Sequence, residues 1–558
     1  MAKSLAALLL AIAACSAHAT EPVLFDWFEY KGHDATFDVP LKPGQYRNPI
    51  LAGFYPDPSI VRAGDRYYLV NSTFTYFPGI PVFESRDLVH WTQVGHVIDR
   101  PSQLDFDGLG MSRGVFAPTI EYHDGTFYVV NTSVDAGGNF IATAKDPAGP
   151  WSDPIWLPTI GGIDPSLVFD EGKDGSTKVF LINNDAPEGT PLYEGHRAIW
   201  MQQLDAKTLK PFGPRKVLLN GGMDIAQKPI WIEGPHIYKR DGWYYIVCAE
   251  GGTSLQHSQV VARSRDIWGP YTPYEHNPIL TQRDLPLHRP DAIGNAGHAD
   301  LVEATDGSWW AVFLASRMYD GVHYNTGRET FLLPVEWKDG WPTILAHGAR
   351  IPQVADGPSF MKRDATQAPL SGNFTWRDDF DKPRLDATWM FARVPKSQWA
   401  DVRSHRGMLA IHALGAGLDT LGNPSFLARR QQHMAFEASA ALSVPADTVT
   451  EAGLAAFQNE KHWFAFTARR VGDGVELTLR KRQKDANETL ATTTLPGNTR
   501  QLTLKVQANN GDYAFAYDAG NGWTWLKQGV DGTVLSTDVA GGFIGATVGP
   551  YARIVQDN

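Results

Sequence analysis

Three acidic residues, each at the start of an apolar segment, are the candidates for chemistry in this 558-residue chain. They are Asp57 in Pro56-Asp57-Pro58-Ser59, Asp164 in Ile163-Asp164-Pro165-Ser166 and Glu233 in Glu233-Gly234-Pro235-His236. Ala117 and His298 stand at the matching places of two further segments. A lone aspartate beside a proline is usually a turn residue. Three carboxylates in one register of a repeat are different, because units arranged around an axis aim that register into one cavity. Converging carboxylates suit glycoside hydrolysis. One must be a protonated acid for the leaving oxygen, and another an ionised base for water. A third can raise the acid's proton affinity by like-charge repulsion.

The register is set by a repeat. An apolar pair, usually following an Asp/Gly turn, begins at Tyr67, Phe127, Val179, Tyr244 and Trp309. The five chemical positions precede these pairs by 10, 10, 15, 11 and 11 residues, the third being lengthened by an insertion at Glu171 to Asp174. A second element, such as Ser85-Arg86-Asp87 and Ser264-Arg265-Asp266, follows most copies. Each unit reads as four short strands, which is a propeller blade, and five copies predict five blades. The repeat ends near Trp341, residues 358–373 read as a linker, and alternating strands such as Ala435 to Ser443 follow. The predicted fold class is all-β, a five-bladed β-propeller over 44–357 followed by a concanavalin-like β-sandwich over 374–558.

The net charge of −11, with no basic cluster, argues against a nucleic-acid partner. Residues 1–19 read as an export signal, with Lys3, an apolar run from Leu5 to Ala14 and Ala17-His18-Ala19 before the cut. This predicts a secreted or periplasmic protein. The alternative is a lipoprotein anchored through Cys15. No later segment is apolar enough for a transmembrane span. Cys248 lies in a buried-strand pattern and reads as core. The histidines show no zinc spacing, and the sequence leaves the oligomeric state open.

The motifs YPDPS at 55–59, FAPTI at 116–120, GIDPSL at 162–167, EGPHIY at 233–238, GHADLVE at 297–303 and GRETF at 327–331 resemble those of glycoside hydrolase family 43, the β-xylosidases and α-L-arabinofuranosidases. The resemblance implies Asp57 as general base, Asp164 as modulator of the acid's pKa, Glu233 as general acid and an inverting mechanism. It implies that Arg328 contacts sugar hydroxyls and that Thr253 and His298 line the pocket. Where clear β-xylosidases of the family carry tryptophan, this chain has Tyr76 and Phe116, which implies a differently shaped wall and weakens a reading of xylose alone. The expected partners are arabinoxylan- or xylan-derived oligosaccharides. No cofactor is required. His298 raises the alternative of a Ca2+ ion in the channel against a hydrogen-bonded histidine. A sandwich loop in Ser536 to Phe543 is expected at the pocket rim, with Phe543 as candidate. Rival readings are a retaining invertase-like propeller, an endo-arabinanase and a non-catalytic sugar-binding propeller.

Overall fold

The computed structural model describes residues 21–362 and 370–555. The expected signal segment, including Cys15, lies outside them. The five blades follow the repeat. Their innermost strands are Ser59–Ala63, Thr119–His123, Ile163–Glu171, Glu233–Arg240 and Ile293–Glu303. Each pairs antiparallel with the strand carrying the apolar pair of its copy, for example Arg66–Val70 and Trp243–Glu250. Two of the connecting turns show why Asp-Gly recurs. Asp124-Gly125 and Asp241-Gly242 have φ of 47° and 70°, and of 50° and 73°. Successive left-handed residues form the tight hairpin whose twist matches that of the flanking strands. The ring closes by joining segments from its two chain ends, Gln45–Arg47 and Val354–Asp356.

The second domain is two packed eight-stranded sheets, and it draws on more of the chain than residues 374–558. Strand Val23–Gly32, which precedes the propeller, runs inside the first sheet between Leu409–Ile411 and Ala435–Ser443. Its Phe25, Phe28 and Tyr30 are fully buried. Residues 25 and 28 share a face only because the register shifts between Phe25 and Trp27, and a bulge of this kind inserts one residue into the alternation. That irregularity hides the strand from a period-two reading. Phe28→Ala should therefore destabilise the sandwich by about 3–5 kcal/mol. A denaturant midpoint lowered at unchanged slope would show it, whereas an unchanged midpoint would mean the strand is dispensable.

The second sheet runs on into the propeller. Its last strand is Tyr76–Phe77, paired through Ala392 and Phe391. One apolar cluster accordingly contains Phe54, Phe74, Tyr76 and Met111 from the propeller with Met390, Phe457, Trp463, Ile544 and Tyr551 from the sandwich. The two domains share a core here rather than touching along a wet interface.

Candidate active site

Asp57, Ala117, Asp164, Glu233 and His298, the five matched positions of the repeat, line a single cavity of about 590 Å³. The backbone turns at these positions. Asp57, Asp164 and His298 have φ of 50°, 52° and 52°, and the innermost strands of the third, fourth and fifth blades change register beside them. Left-handed backbone at non-glycine residues is strained and collects at functional sites. Gly234 is required as glycine, because a Cβ there would come within 2.8 Å of His298 Nε2.

Asp57 is held from two sides. Ser72 Oγ donates to Oδ2 at 2.6 Å, and Arg328 Nη1 and Nη2 donate to Oδ1 and Oδ2 at 2.8 and 3.3 Å. Burial pushes its pKa up, but Arg328, His298, the Ser72 hydroxyl and His257 together bring it below the usual carboxylate value. Glu233 goes the other way. Burial and then the Asp57 charge raise it to about 8, against the opposing pull of Arg328 and Arg197. Burial, followed by the Glu233 and Asp57 charges, also lifts Asp164 well above its ordinary value. The cavity thus holds an ionised carboxylate beside a pair that retains a proton at neutral pH. Burial lowers His298 to about 4, so it stands there as a neutral ring with Nδ1 3.9 Å from Asp57 Oδ1.

Arg328 has five N–H donors, and all five are engaged. Two reach Asp57, one reaches Thr253 Oγ1 at 2.9 Å, and Nε and Nη2 reach the Phe543 carbonyl at 3.3 and 3.2 Å. The contact with sugar hydroxyls implied by the resemblance would require releasing one of these bonds. In this arrangement Arg328 orients Asp57 and ties it to the sandwich. The expected rim loop is present. Phe543 lines the cavity, stacks on Phe74 at 5.7 Å and meets Phe116 edge-on at 5.6 Å. Its backbone N–H donates to Ser112 Oγ at 2.9 Å.

Tyr76 does not line the cavity, and the expectation that it forms the wall is corrected. It is fully buried, and its hydroxyl lies 3.0 Å from Thr547 Oγ1 of the sandwich. Phe74 takes the wall position instead. Its φ of 52° and the turn in which Tyr76 N–H donates to the Thr73 carbonyl rotate the chain between the two rings. Sequence reasoning also passed over Trp231, Arg197 and Arg113, which line the same cavity. Trp231 stands two residues before Glu233, the one signal that could have found it.

Asp164, Glu233 and His298 each bring one ligand atom within 4.8 Å of the others. This donor set does not suit calcium, which takes six to eight oxygens. A dication between the two carboxylates would also expel the proton that Glu233 retains.

A propeller cavity that sets a carboxylate of lowered pKa beside a carboxyl of raised pKa has the base and the acid that a glycoside hydrolase needs. Residues 46–342 match the model of glycosyl hydrolases family 43, and 377–557 match the beta xylosidase C-terminal concanavalin A-like domain. The chain belongs to glycosyl hydrolase family 43. It is 38% identical to a xylosidase/arabinosidase of Butyrivibrio fibrisolvens, over 90% of this chain and 95% of that one. It is also 38% identical to a non-reducing end alpha-L-arabinofuranosidase of Bacteroides ovatus, over 92% of each. The crystal structure of a GH43_12 protein from a capybara gut metagenome superimposes with a TM-score of 0.89 at 40% identity, covering 96% of this chain and all of that one.

Proposed function

We propose that the protein removes one α-L-arabinofuranose or β-D-xylose unit from the non-reducing end of xylan- or arabinoxylan-derived oligosaccharides, with inversion. The observation that carries this reading is the convergence of Asp57, Asp164 and Glu233 in one cavity walled by Phe543. Asp57 takes a proton from water as the water oxygen attacks the anomeric carbon. Glu233 delivers its proton to the glycosidic oxygen on the other side. Asp164 and Glu233 repel each other's negative charge, and in this reading Asp164 thereby helps Glu233 keep its proton. The wall supplied by Phe543 favours a chain end over the middle of a polymer, which supports exo action over the endo-arabinanase reading. The relatives' names cover both pentoses. An export signal at residues 1–19 would place the enzyme outside the cytoplasm, where such oligosaccharides arise. No helix among the described residues is long and apolar enough to cross a membrane.

Proton NMR of the first-formed sugar should show inverted anomeric configuration, because the base works through water rather than as a nucleophile. Retained configuration would replace this mechanism by a covalent one.

The pH profile follows from the shifts. Asp57 must be ionised and its pKa is lowered, so loss on the acid side begins only below the ordinary aspartate range. Glu233 must be protonated and its pKa is raised, so kcat/KM should fall as pH rises through about 8. An alkaline limb near the ordinary glutamate value would contradict the assignment.

A further inference from the structure

The cavity extends past the carboxylates to a wall formed by Trp231 and Arg197, whose only part in the chemistry described is the pull of the Arg197 charge on Glu233. Trp231 is half-buried and borders the cavity, and the Arg197 guanidinium lies 4.2 Å from its ring centroid. The chain holds Trp231 in place at some strain. Its φ is 52°, an outlier for a bulky residue. Its backbone N–H donates to the Gly195 carbonyl at 2.9 Å, two residues before Arg197. The carbonyl of the following Ile232 accepts from Asn184 Nδ2 at 2.6 Å. These bonds hold the main chain that carries the indole, two residues before Glu233. Arg328 is engaged with Asp57 and Arg113 with Asp135. Arg197 forms no ion pair among the described residues, and its one hydrogen bond given by the structure is to the His196 carbonyl at 3.0 Å.

The location decides the use. Glu233 protonates the oxygen that leaves with the remainder of the substrate, so a wall that joins Glu233 through the chain faces that remainder. A flat indole backed by a cation presents an apolar face beside hydrogen-bond donors, and a sugar ring presents an apolar face rimmed by hydroxyls. We propose that Trp231 and Arg197 form the leaving-group subsite and select for a pentose residue there, the indole stacking on the sugar and the guanidinium bonding its hydroxyls. This deepens the glycosidase reading and rests on it.

The test compares a matched pair of substrates that share the sugar to be removed. Xylobiose fills the subsite with a sugar, whereas methyl β-D-xyloside, whose alcohol also needs the Glu233 proton to leave, carries no sugar there. Arabinosyl-xylobiose and methyl α-L-arabinofuranoside form the second pair. The quantity read is the ratio of kcat/KM for the oligosaccharide to that for the methyl glycoside. Trp231→Ala should lower this ratio by about tenfold or more, and Trp231→Phe, which keeps a ring, should restore it to within about threefold of wild type. Arg197→Ala, on the facing loop, should lower the same ratio and guards against a Trp231→Ala protein that does not fold. Equal losses on both members of a pair would mean the residues support the cavity generally, and unchanged rates on both would mean they do not meet the leaving sugar. Either result overturns the proposal while the glycosidase reading stands. A wild-type protein that cleaves no member of either pair would overturn both.

Discussion

Glu233→Ala is expected to lower turnover of a xylo- or arabino-oligosaccharide by about 10³-fold, and turnover of a 2,4-dinitrophenyl pentoside by no more than about tenfold. A sugar alkoxide is a poor leaving group and needs the proton, whereas dinitrophenolate leaves without one. Asp57→Ala should lower both by a similar large factor, about 10³-fold, because every substrate needs the activated water. The environments already separate the two roles. Asp57 is held ionised by the paired Arg328 bonds and the Ser72 hydroxyl, whereas Glu233 is raised by burial and by the Asp57 charge. A steady-state comparison of the two variants across aryl leaving groups reads the difference directly. The same slope of rate against leaving-group acidity in both variants would mean that acid and base are misassigned.

Phe543→Ala is expected to reduce kcat/KM on small aryl pentosides by about 10- to 100-fold, although the residue belongs to the other domain. The ring forms part of the cavity wall with Phe74 and Phe116. The Phe543 carbonyl, which holds Arg328 against Asp57, remains in this variant, so the loss measures the ring alone. Ending the chain near Met361 should go further and remove activity altogether. It deletes both the ring and the carbonyl, and it uncovers Phe54, Phe74, Tyr76 and Met111, which share one apolar cluster with the sandwich. It also strands Val23–Gly32, whose sheet partners would be gone. The truncated chain should aggregate rather than act as a free propeller. A soluble truncation with full turnover on small substrates would show that the sandwich has no part in building the site.

Much of this was legible because a propeller is a repeat. Five apolar pairs at similar intervals fix the blades, and an offset of 10 or 11 residues from each pair, 15 in the third copy with its insertion, places Asp57, Ala117, Asp164, Glu233 and His298 in one ring. Local chemistry sufficed there, since Asp-Gly turns and alternating apolar residues dictate hairpins without reference to distant contacts. Phe543 was reached as a rim candidate through the family resemblance rather than from the pattern of the residues.

The sequence by itself determined the all-β class, the blade count, the carboxylate ring and the order of the two domains, because each rests on periodicity or short-range turn chemistry. Only the tertiary structure decided three other matters. It placed Val23–Gly32 in the sandwich, through pairings with strands near residues 376, 410 and 440 that no local pattern announces. It turned Phe74 rather than Tyr76 into the cavity, since a single left-handed residue redirects the chain there and the sandwich captures the tyrosine hydroxyl. And it committed all five donors of Arg328, joining the base on one domain to a backbone carbonyl on the other. Pairing partners, side-chain direction after a bend and the filling of a donor set depend on groups hundreds of residues apart, and those meet only when the chain has folded.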